Sequence, residues 1–109
     1  MTVDLDWENL GFNYRKLPFR YISYYKDGKW DEGQLTEDAT LHISESSPAL
    51  HYGQEAFEGL KAYRTKDGSI QLFRPDENAK RLQRTADRLL MPQVPVEKFV
   101  DACKKVVRA

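Results

Sequence analysis

Residues 57–90 read FEGLKAYRTKDGSIQLFRPDENAKRLQRTADRLL, and the period of their apolar residues changes once, at Pro75. Upstream of that proline the pattern is that of paired strands. Residues 57–64 are rich in aromatic and apolar side chains, and Lys66-Asp67-Gly68 supplies turn chemistry. In residues 69–74, Ile70 and Leu72 then share one face of an extended chain. Downstream, Ala79, Leu82, Ala86, Leu89 and Leu90 recur at helical spacing until Pro92 ends the run. Asp76, with Pro75 just ahead of it, has the short oxygen-bearing side chain of an N-cap. The spacing predicts a hairpin followed by a helix over 76–90, the beginning of an α+β fold.

Working back toward the N-terminus, residues 46–57 open with the loop residues Ser46, Ser47 and Pro48. One or two helical turns fit residues 49–57. Gly53 and Gly59 bracket Phe57, where the backbone passes close to something or needs a positive φ. From composition alone this stretch reads as a glycine-softened turn over an aromatic core. Further upstream, residues 19–26, FRYISYYK, are aromatic and β-branched, and Asp27-Gly28 is the dipeptide of a two-residue type I′ turn. A return strand is expected from Lys29, with Gly33 marking a bulge or an early end. Residues 39–43 read as one more short strand. The first 18 residues form an arm, with Trp7, Leu10 and Phe12 as candidate anchors.

Beyond the first helix, Val94-Pro95 begins a second, which places Val96, Phe99, Val100, Cys103, Val106 and Val107 on one face. That pattern runs to Ala109 without a cap, as expected of a piece of a longer protein. The expected architecture is a small antiparallel or mixed sheet of four or five strands, built from hairpins and packed with two C-terminal helices.

Composition excludes several functions. Lys plus Arg and Asp plus Glu each number 17 among 109 residues, so a polyanionic partner such as nucleic acid is disfavoured. No apolar run approaches the ~20 residues a membrane helix needs, and the acidic start is unlike a signal peptide, which points to a soluble intracellular protein. Cys103 is the single cysteine; with His42 and His51 it does not make a zinc site, so no metal is expected. Arg81, Arg84 and Arg88 line one side of the predicted helix. A guanidinium is a fitting phosphate ligand, but periodicity does not choose among the three. Glu55 and Glu58 are expected to face solvent or cap, not to act as paired acid and base.

The strings ALHYGQEAFEGLKAYR (residues 49–64), LFRP (residues 72–75) and ENAKRLQRTADRL (residues 77–89) closely resemble the N-terminal small domain of branched-chain amino acid aminotransferases. These are fold-type IV enzymes that use pyridoxal 5'-phosphate. The resemblance covers residues 19–109 and leaves residues 1–18 as the arm. It is weaker to the D-amino acid aminotransferases and aminodeoxychorismate lyases of the same fold. It implies reversible amino transfer between leucine, isoleucine or valine and 2-oxoglutarate, with glutamate as the other product, in a cytoplasmic homodimer. Arg81 matches the cofactor's phosphate-binding arginine. Phe19, Tyr52, Phe57, Gly59 and Lys61 match positions near the substrate. No catalytic residue is expected in this chain, since the Schiff-base lysine of such enzymes lies beyond the position of Ala109. A non-catalytic binding or dimerisation module is the reading of a different class.

Overall fold

In the first hairpin, Arg20–Ile22 (β1) pairs antiparallel with Gln34–Thr36 (β4), and Tyr25–Lys26 (β2) pairs with Lys29–Trp30 (β3). The computed structural model describes Glu8, Gly11 and residues 13–109; Trp7, Leu10 and Phe12 lie outside these residues. Asp27 (φ 54°) and Gly28 (φ 81°) both take positive φ, as a type I′ turn requires. The ladder breaks midway, where the Asp31 carboxylate accepts hydrogen bonds from the Ser23 hydroxyl (2.7 Å), Tyr24 N–H (3.2 Å) and Gly33 N–H (2.8 Å). One carboxylate thus satisfies backbone donors that the interrupted ladder leaves over. Gly33 adopts φ 71° under the Tyr21 ring, whose hydroxyl donates to the Glu32 carbonyl at 2.8 Å.

The second hairpin, Ala62–Arg64 (β5) against Ile70–Leu72 (β6), turns differently. Thr65 N–H donates to the Ser69 carbonyl (2.7 Å), and of the three residues between them Gly68 alone has a positive φ (90°). The Asp67 carboxylate accepts from the Thr65 hydroxyl and from Ser69 N–H (3.0 Å), and these bonds hold its pKa down at about 2.

The molecule is an α+β fold, but its strands form three separate two-stranded ladders and not one sheet of four or five. One expected strand is missing, and another, expected over 57–64, forms only in its last three residues. Residues 39–43 are irregular: the Asp38 carboxylate accepts from Thr40 N–H (2.9 Å) and pairs with His42 (2.9 Å), while Leu41 and Ile43 stay exposed with no sheet face to bury. Residues 57–61 are irregular as well, because side chains of the first long helix hold them where a neighbouring strand would. Of the helical turns expected over 49–57, only Pro48–His51 (α1) forms.

That first long helix, α2, spans Pro75–Arg88, and a second, α3, spans Val96–Arg108. Arg74, at φ 47°, occupies the N-cap position, so Pro75 starts the helix and Asp76 lies within its first turn. At the other end Met91 N–H donates to the Ala86 carbonyl (2.8 Å) and Leu90 N–H to the Asp87 carbonyl (3.3 Å). This is a Schellman closure in which Leu90, not glycine, carries the positive φ of 58°. Leu89 and Leu90 therefore fall past the helix that periodicity assigned them to. Ala79 and Ala86, seven residues apart on one face of α2, are the buried hydrophobics among the described residues. Gln83 ties α2 to the Val94 carbonyl (2.8 Å), and Trp30 Nε1 donates to the Gln93 carbonyl (2.9 Å), joining the first hairpin to the helix pair.

Glycine substitutions separate backbone need from functional need. Gly33→Ala should destabilise the protein by at least about 1 kcal/mol, because it combines a left-handed backbone with a collision against the Tyr21 ring. Gly59→Ala meets nothing within 4 Å and has no positive φ, so its urea midpoint should match the parent's. Equal midpoints for both variants would contradict this account of Gly33.

Candidate functional site

Residues 52–61 make no ladder, yet the segment is fixed at two points along α2. The Gln54 side-chain amide donates to the Leu89 carbonyl (2.7 Å) at the C-terminal end of that helix. Four residues on, the Glu58 carboxylate accepts from Arg81 Nε (2.9 Å) and Nη2 and from Asn78 Nδ2 (2.8 Å). Asn78 Nδ2 also donates to the Gly59 carbonyl (3.1 Å). The geometry closes: four extended residues span roughly 13 Å, and the eight helical residues from 81 to 89 rise about 12 Å. The segment thus runs antiparallel along the helix.

Glu58 is the more covered member of this arrangement, its side chain only 6% exposed, while the Arg81 side chain is 62% exposed. The Arg81 guanidinium, followed by the Asn78 amide, holds the Glu58 carboxyl below the usual carboxylate range against the opposing effect of burial. The carboxylate in turn raises the pKa of Arg81. Sequence reading placed Glu58 at the surface or in a cap, and the structure corrects this. Glu55, three residues away, is exposed. Glu58 occupies the Nε–Nη2 edge of the guanidinium, and Nη1 has no partner among the described residues. An arginine fork with one edge pinned and the other open fits a phosphate oxygen on the open side.

The other predicted residues divide into two groups. Phe57 and Tyr52, 93% and 87% exposed, stand out from the segment, so the aromatic-core reading of this stretch does not hold. Gly59 and Lys61 are exposed beside them, and Lys61 forms no ion pair among the described residues. Phe19 lies elsewhere. It lines an apolar cavity of about 420 Å³ with Leu60, Leu72, Phe99, Cys103 and Val106, against α3. The structure brings Arg81 to the segment of Phe57 and Gly59 but does not put Phe19 in a common cavity with Tyr52 and Phe57. Burial in this cavity pushes the Cys103 thiol up, away from reactivity.

Arg84 and Arg88 remain exposed on α2. Arg81 is the arginine of the three that is joined to the candidate segment. His42 lies in a loop and pairs with Asp38, whereas His51 is the last residue of α1, its Nε2 2.6 Å from the Glu45 carbonyl. No helix of the described residues is long and apolar enough to cross a membrane.

By sequence the chain is similar to aminotransferases. No family model matches it. It is 72% identical over 106 residues to the branched-chain-amino-acid aminotransferase of Haemophilus influenzae and 57% identical over 106 residues to that of Helicobacter pylori. Against the chloroplastic branched-chain-amino-acid aminotransferase 2 of Arabidopsis thaliana it is 43% identical over 108 residues. These matches cover 97% of the chain for the two bacterial relatives and 98% for the plant one, and bear out the resemblance read from residues 49–89. The chain spans about 31% of the length of the bacterial relatives and 28% of the plant one.

The Glu58–Arg81 contact has a pH signature. Because the folded-state pKa of Glu58 is depressed below its ordinary 4.5, the contact contributes stability that is present above that value and lost as pH falls through the lowered one. Glu58→Gln should flatten the acid limb of the thermal midpoint as pH falls below 4.5. A variant whose acid limb parallels the parent's would show that Glu58 is not held as described.

Proposed function

We propose that residues 19–109 are the small domain of a branched-chain-amino-acid aminotransferase, and that they supply part of a site whose acid/base group lies outside this chain. The observation that carries the reading is the Arg81 guanidinium. It is pinned on one edge by Glu58, open on the other, and joined through Glu58 to the segment bearing Phe57 and Gly59. The sequence similarity supports the same reading, since the two bacterial relatives and the chloroplastic one named above carry that enzyme's name.

When bound, pyridoxal phosphate supplies the electron sink that makes an amino acid's α-proton removable. This chain's part is to bind and orient. Arg81 holds the phosphate through Nη1. Tyr52 and Phe57 form one apolar wall for the branched side chain of leucine, isoleucine or valine, where each buried methylene is worth about 0.8 kcal/mol. Gly59 keeps a side chain out of the space beside that wall. Lys61 lies at its rim as a cation for the substrate region, and Phe19 contributes from the side of α3. The 2-oxo acid partners are 2-oxoglutarate and the keto forms of the same amino acids. The working enzyme is a cytoplasmic homodimer in this reading.

Two experiments on the full-length enzyme test it. Arg81→Ala should weaken cofactor retention by roughly 10- to 100-fold, the cost of losing hydrogen bonds to a charged group, whereas Arg84→Ala and Arg88→Ala should change it little. Retention is read as cofactor absorbance remaining after dialysis, and equal losses from all three would overturn the assignment. Phe57→Ala should shift the leucine-over-alanine ratio of kcat/KM by about tenfold toward alanine, because the enlarged site loses packing against the longer side chain. An unchanged ratio would remove Phe57 from the pocket.

A further inference from the structure

The open side of Arg81 is useful to an anion only if the guanidinium stays where it is. A long side chain that is 62% exposed has nothing in its own helix to hold it, since α2 offers no carboxylate bonded to Arg81. The restraint comes from 23 residues upstream. Glu58 approaches with a nearly buried carboxylate, takes Nε and Nη2 together, and is itself fixed by Asn78, one helical turn before Arg81. A two-point contact sets the plane of the guanidinium as well as its position, so the direction of Nη1 is defined before any ligand arrives. The negative charge of Glu58 lies on the far edge, so the guanidinium separates it from an anion at Nη1.

We infer that Glu58 is a positioning residue: its carboxylate, held by Asn78, pre-orients the Arg81 guanidinium toward a phosphate-bearing ligand and fixes the 52–61 segment in the same contact. This rests on the reading of Arg81 as a phosphate anchor. It assigns Glu58 no proton transfer and no contact with the reacting atoms. The same bond that aims Arg81 sits between Phe57 and Gly59 in the chain, so anion anchor and apolar wall share one support.

The test is a double-mutant cycle in the full-length apoenzyme, with pyridoxal phosphate titrated in and binding followed by absorbance. Glu58→Gln should raise the dissociation constant about tenfold and Arg81→Ala more. The double variant should bind no worse than Arg81→Ala alone, because Glu58 acts only through Arg81. An unchanged dissociation constant for Glu58→Gln overturns the inference, as does a double variant whose loss is the product of the two single losses. Arg81→Ala without effect overturns the anchor reading itself, and this inference with it. If circular dichroism shows Glu58→Gln misfolded, Asn78→Ala takes its place in the cycle. It should give a smaller loss that likewise disappears in the Arg81→Ala background, and additive losses there overturn the inference.

Discussion

A carboxylate covered to 6% exposure gives up most of its contact with water, and much of the site follows from how Glu58 replaces it. A charged group that loses water needs its lone pairs filled and its charge met. Glu58 meets both conditions through Arg81 and Asn78, which lie one turn apart on α2. The requirement runs in both directions. Glu58 needs these two side chains to stay buried, and the segment that carries it needs Glu58 to stay in place, since residues 57–61 have no ladder of their own.

A segment held this way differs from a strand. A ladder would have bonded each backbone group and turned alternate side chains toward a neighbouring element. Here two side-chain contacts, at Gln54 and at Glu58, carry the attachment, and the residues around them are free to face outward. Phe57 and Tyr52 do so almost completely. In the proposed function these open aromatic side chains meet another object. That object is a branched aliphatic side chain together with the remainder of the enzyme.

Much of the scaffold was legible in the sequence because its signals are local. Asp27-Gly28 specifies its turn through two positive φ values, Gly33 marks the break in the first hairpin, and alanine and valine periodicity places both helices to within two residues at each end. The end of α2 escaped because Leu90 adopts a backbone that periodicity assigns to a helix and chemistry assigns to glycine. The missing strand and the shortened one have a different cause. Residues 57–61 and 39–43 have strand-like composition, but side-chain carboxylates at Glu58 and Asp38 direct their conformation instead. Glu58 itself was read as a surface residue because its partner is 23 residues away, beyond any i, i+4 signal. Arg81 was separated from Arg84 and Arg88 only by family resemblance. The structure adds a physical difference, since of the three it is the one bonded to the candidate segment.

The most direct measurement is a crystal structure of the full-length protein with pyridoxal phosphate bound. The account predicts a phosphate oxygen within hydrogen-bond distance of Arg81 Nη1 while Glu58 still holds Nε and Nη2, with the Phe57 ring along the substrate side of the cofactor. A phosphate bound away from Arg81, or an Arg81 that has left Glu58 to reach it, would contradict the account.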